Sequence, residues 1–165
     1  MSAPDIIKRF GMEPHPEGGY FKETYRSSEF ILKEHLPHRF GDKRRFSTAI
    51  YFLLTSESFS AFHKIKSDEV WHFYAGGSLL IHILHINGSY ELIKLGNKME
   101  AGEVFQCVVP AGSWFASECA EGSNFSFVGC TVSPGFDFAD FELAIGDQLI
   151  RKYPDFTGLI RKLTR

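Results

Sequence analysis

The stretch AFHKIKSDEVWHFYAGG, Ala61–Gly77, decides how this chain reads. Its apolar residues recur every second position and are interrupted once, at Lys66-Ser67-Asp68, which is the pattern of two half-buried strands joined by a turn. Over 59–65, Phe59, Ala61, His63 and Ile65 share one face, while Ser60, Phe62, Lys64 and Lys66 share the other. The lysines mark the solvent side, so His63 is predicted to point inward. Over 69–75, Glu69, Trp71 and Phe73 share a face opposite Val70, His72 and Tyr74. A carboxylate on a face with Trp and Phe is costly to bury without a partner. The tight turn predicts that His63 and Glu69 meet across a hairpin. Alternation alone leaves open whether the pair does chemistry or is a satisfied structural pair in a core.

From Phe46 on the chain is a series of period-two or continuous apolar runs. Strands are predicted at 47–55, 59–65, 69–75, 79–86, 90–95, 103–109, 113–117 and 124–133. The spacing is about ten residues, and turn signals such as Asn87-Gly88 and Gly96-Asn97 separate the runs. At the N-terminus, Ser2 and Asp5 form a capping box for a short helix that Gly11 ends. The turn-rich His15-Pro-Glu-Gly-Gly19 follows, then a strand over Tyr20–Arg26 and a long polar loop over 27–46. After Ala144 the pattern turns helical: Asp147 is placed to cap one helix, Pro154 to interrupt it and Asp155 to cap the last. Strands in the middle with helices at both ends argue for an all-β sandwich or barrel.

With 165 residues the chain is expected to be one domain, 1–165, divided into 1–45 (helix, strand and loop), 46–138 (β core) and 139–165 (helical tail). Hydrophobic residues make up 44% and aromatics 15%, with 17 Phe, which suits a β-rich core. A net charge of −2 gives no footprint for nucleic acid, and the run Lys43-Arg44-Arg45 beside Asp42 reads as a solvated loop. No apolar run is long enough to span a membrane. The first residues lack the pattern of a secretory leader, and the unpaired Cys107, Cys119 and Cys130 suit reduced thiols, so a cytoplasmic location is expected.

His63…Glu69…Gly76, with the spacing H-x5-E-x6-G, resembles the first motif of the cupin superfamily. Gly102…Pro110-Ala111-Gly112 resembles its second motif, with a slightly longer gap before the proline. His15–Ser27, Asp68–Gly76 and Val132–Phe138 resemble one cupin subfamily known as domain of unknown function 985, and the likeness spans nearly the whole chain. The resemblance implies a double-stranded β-helix, the jelly-roll barrel, with short terminal helices. It also implies a homodimer, and an overall shape like deoxysugar-nucleotide epimerases and plant auxin-binding and storage cupins. The N-terminal segment 1–26 is the part expected to reach across a dimer and cover a sheet edge.

Metal-binding cupins offer three histidines and a glutamate from these motifs. Aligned here, two of those positions are Ile65 and Phe115, so only His63 and Glu69 remain. Two ligands rarely hold a transition metal, and His72, the nearest third, falls on the opposite face. No cofactor is therefore expected, a divalent metal at His63 and Glu69 being the residual alternative. The surviving pair suits metal-independent isomerase or epimerase chemistry on a small sugar- or nucleotide-like molecule. His63 is the expected base, Glu69 its orienting group and a tyrosine the acid, the candidates being Tyr51, Tyr25 and Tyr74, among which the sequence does not choose. Arg26 is the expected clamp for an anionic group, with His72, Gln106, Trp71 and Tyr74 as further substrate contacts. A non-catalytic small-molecule-binding cupin is the main alternative, and a metal-dependent dioxygenase the lesser one.

Overall fold

A computed structural model describes residues 2–165. Ser2 and Asp5 close the expected capping box on helix α1 (Ala3–Phe10), and Gly11, in the left-handed region, ends it. Thirteen strands follow: β1 (Glu13–Pro14), β2 (Tyr20–Arg26), β3 (Phe30–Ile31), β4 (Arg44–Arg45), β5 (Thr48–Thr55), β6 (Phe59–Lys64), β7 (Asp68–Gly76), β8 (Leu79–Leu84), β9 (Tyr90–Leu95), β10 (Gln106–Val109), β11 (Trp114–Cys119), β12 (Phe125–Ser133) and β13 (Glu142–Leu143). Helices α2 (Gly146–Lys152) and α3 (Thr157–Lys162) close the chain.

A six-stranded sheet in the order β1-β2-β5-β12-β7-β10 faces a five-stranded sheet in the order β13-β6-β11-β8-β9. From β5 to β8 successive strands lie in alternate sheets, which makes this a jelly roll. The expected hairpin between His63 and Glu69 is therefore corrected. β6 pairs with β11 and β13, while β7 pairs with β12 and β10. Lys66-Ser67-Asp68 carries the chain from one sheet to the other, and the two residues approach across the barrel interior.

Phe52 and Leu54 of β5, Trp71 of β7, Ile81 and Ile83 of β8, Phe115 of β11 and Val128 of β12 fill that interior. Burial stabilises by about 1.5–3 kcal/mol for each large apolar side chain. A second cluster packs α2 and α3 on the outside of the five-stranded sheet through Leu149, Tyr153, Ile160 and Leu163 against Phe62, Leu84 and Trp114. On the outside of the other sheet, Ile6 of α1 packs with Leu53 and Phe127.

Several local expectations change. Asp147 lies inside the first turn of α2, whose cap position is Ile145, and Asp155 sits within a 3-10 turn at Pro154–Phe156. Proline fixes a helical φ, so Pro154 starts that turn instead of only interrupting a helix. The loop 27–46 is ordered by Phe30, whose ring lies under Arg45 and Lys43, and by fully buried Phe40. The strand expected over 103–109 begins only at Gln106, because the Glu103 carboxylate is drawn aside to Ser78 and the Lys98 backbone. Among the described residues no helix is long and apolar enough to cross a membrane.

Candidate functional site

At the end of the barrel where β6 finishes and β7 begins lies a cavity of about 70 Å³. Its floor and walls carry His15, Glu17, His63, Glu69 and Cys130, with Arg26 and Glu23 also on its lining. Phe21, Ile50 and Phe52 line one side, and Phe136, Phe138 and Phe141 of the strap between β12 and β13 line the other. Asp140 holds that strap in place: its buried carboxylate takes two hydrogen bonds of 2.6 Å from the Arg44 guanidinium.

Two irregularities in the sheets aim side chains into this cavity. Between β2 and β5 the register shifts at Thr24, so Glu23 opposes Ile50 while Arg26 opposes Thr48. Residues 23 and 26 would lie on opposite faces of a regular strand, and the extra residue returns both to the cavity side. In β6 the register shifts between Ser60 and His63, which puts these two on one side despite their spacing. The expectation that Ser60 lies opposite His63 is corrected accordingly. The bulge also frees the Ala61 backbone, whose N–H donates to the Glu17 carbonyl at 2.8 Å and whose carbonyl accepts from His63 Nδ1 at 2.7 Å.

The segment 15–19 is folded tightly onto this bulge. His15 N–H donates to the Gly19 carbonyl and Gly18 N–H to the His15 carbonyl. Gly18 has φ +116°, and a Cβ there would stand 2.1 Å from the Phe59 carbonyl oxygen, so only glycine fits. The turn delivers Glu17 to His63, with Glu17 Oε2 3.0 Å from His63 Nε2, and Ser60 Oγ donates to Glu17 Oε1 at 2.9 Å. Both nitrogens of His63 thus face acceptors. Burial works against its charge, but the Glu17 carboxylate outweighs burial and the pKa of His63 stands above its ordinary value. Burial likewise opposes ionisation of Glu17, and His63 reverses this, so Glu17 stays below the usual carboxylate range. The pair is an imidazolium and a carboxylate.

Glu69 differs. It is buried, it has no ion-pair partner among the described residues, and burial pushes its pKa up to about 7. The His63 charge moderates the rise, Glu17 adds to it, and the thiol of Cys130 offers a hydrogen bond. Cys130 itself is held far above the ordinary thiol value, chiefly by burial, and is a neutral donor. His15 is pushed down, chiefly by burial.

Of the residues singled out from sequence, His63, Glu69 and Arg26 line the cavity and the others do not. Tyr51 lies outside the six-stranded sheet against Phe10, Tyr74 and Phe127, because Phe52 takes the inward position beside it. Tyr74 shares that outer surface, and Tyr25 is exposed next to the β2 bulge. His72 and Gln106 bond each other on the outer face, His72 also meeting Thr131 Oγ1 at 3.1 Å. Trp71 points inward but is sealed in the core against Phe52 and Phe115. Sequence reasoning missed Glu17, His15, Ser60 and the three strap phenylalanines. The one available signal was an acid and an imidazole inside a Pro- and Gly-rich turn.

The family model described as Cupin superfamily (DUF985) matches residues 4–144. The chain is a cupin. An uncharacterized protein of Saccharomyces cerevisiae is 32% identical over 160 residues, covering 91% of this cupin and 79% of the yeast protein. A hypothetical protein from Leishmania major superposes with a TM-score of 0.91 at 36% identity, covering 99% of both chains. A Shewanella oneidensis protein gives 0.90 at 38% identity over 100% of this cupin and 98% of its own chain. Bacillus subtilis oxalate decarboxylase gives 0.55 at 14% identity, covering 91% of this cupin and 36% of that enzyme. That last likeness is one of fold alone.

The donors of this cupin do not fit a resident metal. Buried Ile65 and Phe115 occupy two of the expected ligand positions, and the Phe115 ring lies 4.0 Å from that of His63. Both nitrogens of His63 are engaged by Ala61 and Glu17. Among the described residues no three His, Cys, Asp or Glu side chains are grouped to hold a metal ion.

Proposed function

We propose that this pocket is an acid–base site that isomerises a small polar carbonyl compound by proton transfer, with Glu69 as the proton shuttle. The observation that carries the reading is the buried Glu69 carboxyl, which lines the cavity with no ion-pair partner among the described residues and whose pKa burial pushes up to about 7. A group so poised both takes and returns a proton at neutral pH. As carboxylate, Glu69 removes the proton from a hydroxyl-bearing carbon beside the carbonyl, and the electron pair moves to the carbonyl oxygen. It then returns the proton to the former carbonyl carbon, while the hydroxyl proton passes to the former carbonyl oxygen. The His63 imidazolium, fixed by Glu17 and Ala61, stabilises the negative charge that develops. Arg26 orients a polar end of the substrate, and the strap phenylalanines exclude water.

These roles revise those expected for the pair: Glu17 orients His63, and Glu69 is free to react. One shuttling carboxyl suits isomerisation between neighbouring carbons better than epimerisation, which draws on groups at both faces of one carbon. The cavity of about 70 Å³ is several times the ~10–15 Å³ that holds one water, so it suits a small sugar-like compound. One observation favours a non-catalytic binding pocket instead, namely that both His63 nitrogens are satisfied within the protein.

The test is proton NMR of small hydroxy-aldehydes and hydroxy-ketones incubated with the protein in deuterated water. The reading expects deuterium at the carbon beside the carbonyl, slowed ~10²–10⁴-fold in Glu69→Gln. Compounds that bind without exchanging support the binding pocket. A homodimer belongs to the same proposal, with β10, the last strand of the six-stranded sheet, as the edge offered to a partner. Sedimentation as a monomer at micromolar concentration would remove it.

A further inference from the structure

His15 has no role in any of the readings above, yet it lines the cavity with its side chain only 7% exposed. Its Nδ1 accepts the backbone N–H of Glu17 at 3.3 Å, so that nitrogen carries no proton. The nearby Glu17 carboxylate, 3.5 Å from Nδ1, favours a charged ring, but burial and the His63 imidazolium oppose it and prevail. The single proton of the neutral ring therefore sits on Nε2. No protein atom among the described residues accepts it. Nor is Nε2 sealed in the interior, since the unpartnered polar side-chain atoms shut away from solvent are Trp71 Nε1 and Ser117 Oγ. The ring that carries this accessible Nε2 lines the cavity.

The ring cannot turn freely. Phe21 meets it edge-on at 4.8 Å, Phe52 and Phe141 stand near 6 Å at steep angles, and Phe138 lies roughly parallel at 6.2 Å. The Gly18-Gly19 turn fixes its backbone. A donor held rigidly at a cavity, with no partner among the described residues, is arranged to meet an acceptor that arrives from outside.

We infer that His15 is a substrate-contacting residue, and that its Nε2–H donates a hydrogen bond to an oxygen of the ligand. This rests on the acid–base reading of the pocket. There the acceptor is the carbonyl oxygen, which gathers negative charge as Glu69 takes the carbon-bound proton. A neutral imidazole serves this purpose well, because it lends its hydrogen bond without surrendering the proton. The ligand class narrows accordingly to compounds with an oxygen acceptor at the reacting centre. His63 supplies the fixed charge, His15 the hydrogen bond and Glu69 the mobile proton.

Long-range proton–nitrogen correlation spectra of histidine-labelled protein read the tautomer directly. Near neutral pH His15 is expected to be neutral and protonated on Nε2. Hydroxyacetone, used as a small carbonyl probe, is expected to shift its Nε2 signal in the wild type and in Glu69→Gln alike. His15→Phe, which keeps an aromatic ring in the box, is expected to fold normally and lose ~10²–10³-fold in deuterium exchange. His15→Gln, which retains an N–H donor, is expected to recover part of that loss. An imidazolium or an Nδ1-protonated ring at neutral pH overturns the inference. So does an Nε2 signal unmoved at saturating hydroxyacetone, or wild-type exchange in His15→Phe. If the wild type exchanges no compound but the probe still shifts Nε2, the isomerase reading falls while the binding role of His15 stands.

Discussion

Replacing Glu69 by glutamine is predicted to stabilise the protein above neutral pH and to change its pH dependence, because the native fold holds this carboxyl protonated. In the unfolded chain the group ionises near its ordinary value of 4.5, whereas in the barrel it does so at about 7. Between these values the unfolded chain has released a proton that the native protein keeps, so native stability falls as pH rises through the window. The interval from 4.5 to 7, at ~1.4 kcal/mol for each tenfold change, amounts to about 3 kcal/mol, all of it lost above the native value. Glutamine cannot ionise and escapes the loss. Any fixed difference in packing or hydrogen bonding between the two side chains is the same at every pH, so the readout is the change in their stability difference from acid to alkaline pH. His63 loses a minor supporting charge in the variant, which acts only near and above its own raised pKa. Urea unfolding of both proteins at a series of pH values between about 4 and 8 measures the difference. Thermal midpoints should separate by ~6–12 °C across the same range for a domain of this size. Parallel curves from acid to alkaline pH would refute the claim that Glu69 stays protonated near neutrality, and with it the proton-shuttle role.

Glu17→Gln leaves the buried His63 imidazolium without its carboxylate and is expected to cost ~3–5 kcal/mol by urea unfolding. It should also bring the His63 pKa down, followed by NMR titration. The raised pKa of His63 now adds stability at acid pH that fades as pH climbs through it, and the variant should lack this contribution. Gly18→Ala sets a Cβ against the Phe59 carbonyl at a φ that alanine avoids. It is expected to lower stability by more than ~1 kcal/mol and to bring the His63 pKa down as well, since Glu17 loses its placement. Wild-type stability with an unchanged His63 titration would show that the 15–19 turn does not position Glu17.

The architecture was largely legible because period-two burial is a local property. From Thr48 to Ser133 each apolar run between turn residues became a strand, and the capping box of Ser2 and Asp5 formed as read. Alternation also sent His63 and Glu69 inward and Tyr51 and His72 outward, although the outward pair were expected to serve the site. What periodicity cannot show is which strands lie side by side. The segment 66–68 reads equally as a hairpin turn or as a passage between sheets, since both need only a few polar residues. Glu17 and His15 were illegible for a related reason: they act from a turn, where no alternation assigns a face. Their placement depends on Gly18 and Gly19 closing against β5 and β6, contacts distant in sequence.

The site lies where the sheets are irregular. A perfect barrel of this sequence would direct Glu23 and Arg26 to opposite faces, and likewise Ser60 and His63. One extra residue in β2 and one in β6 bring each pair to the same side. The β6 bulge also releases the Ala61 N–H and carbonyl from the sheet ladder. Both are taken up at once, the N–H by the Glu17 backbone and the carbonyl by His63 Nδ1. Those two bonds hold an ion pair in the interior, where ionised groups are costly unless every donor and acceptor is met. With the Glu17–His63 pair so satisfied, Glu69 lies beside fixed charges with no ion-pair partner among the described residues. Its unusual affinity for a proton then follows from burial more than from any direct contact. In this barrel the bulges, not the regular strands, separate the groups that hold charge from the one free to exchange a proton.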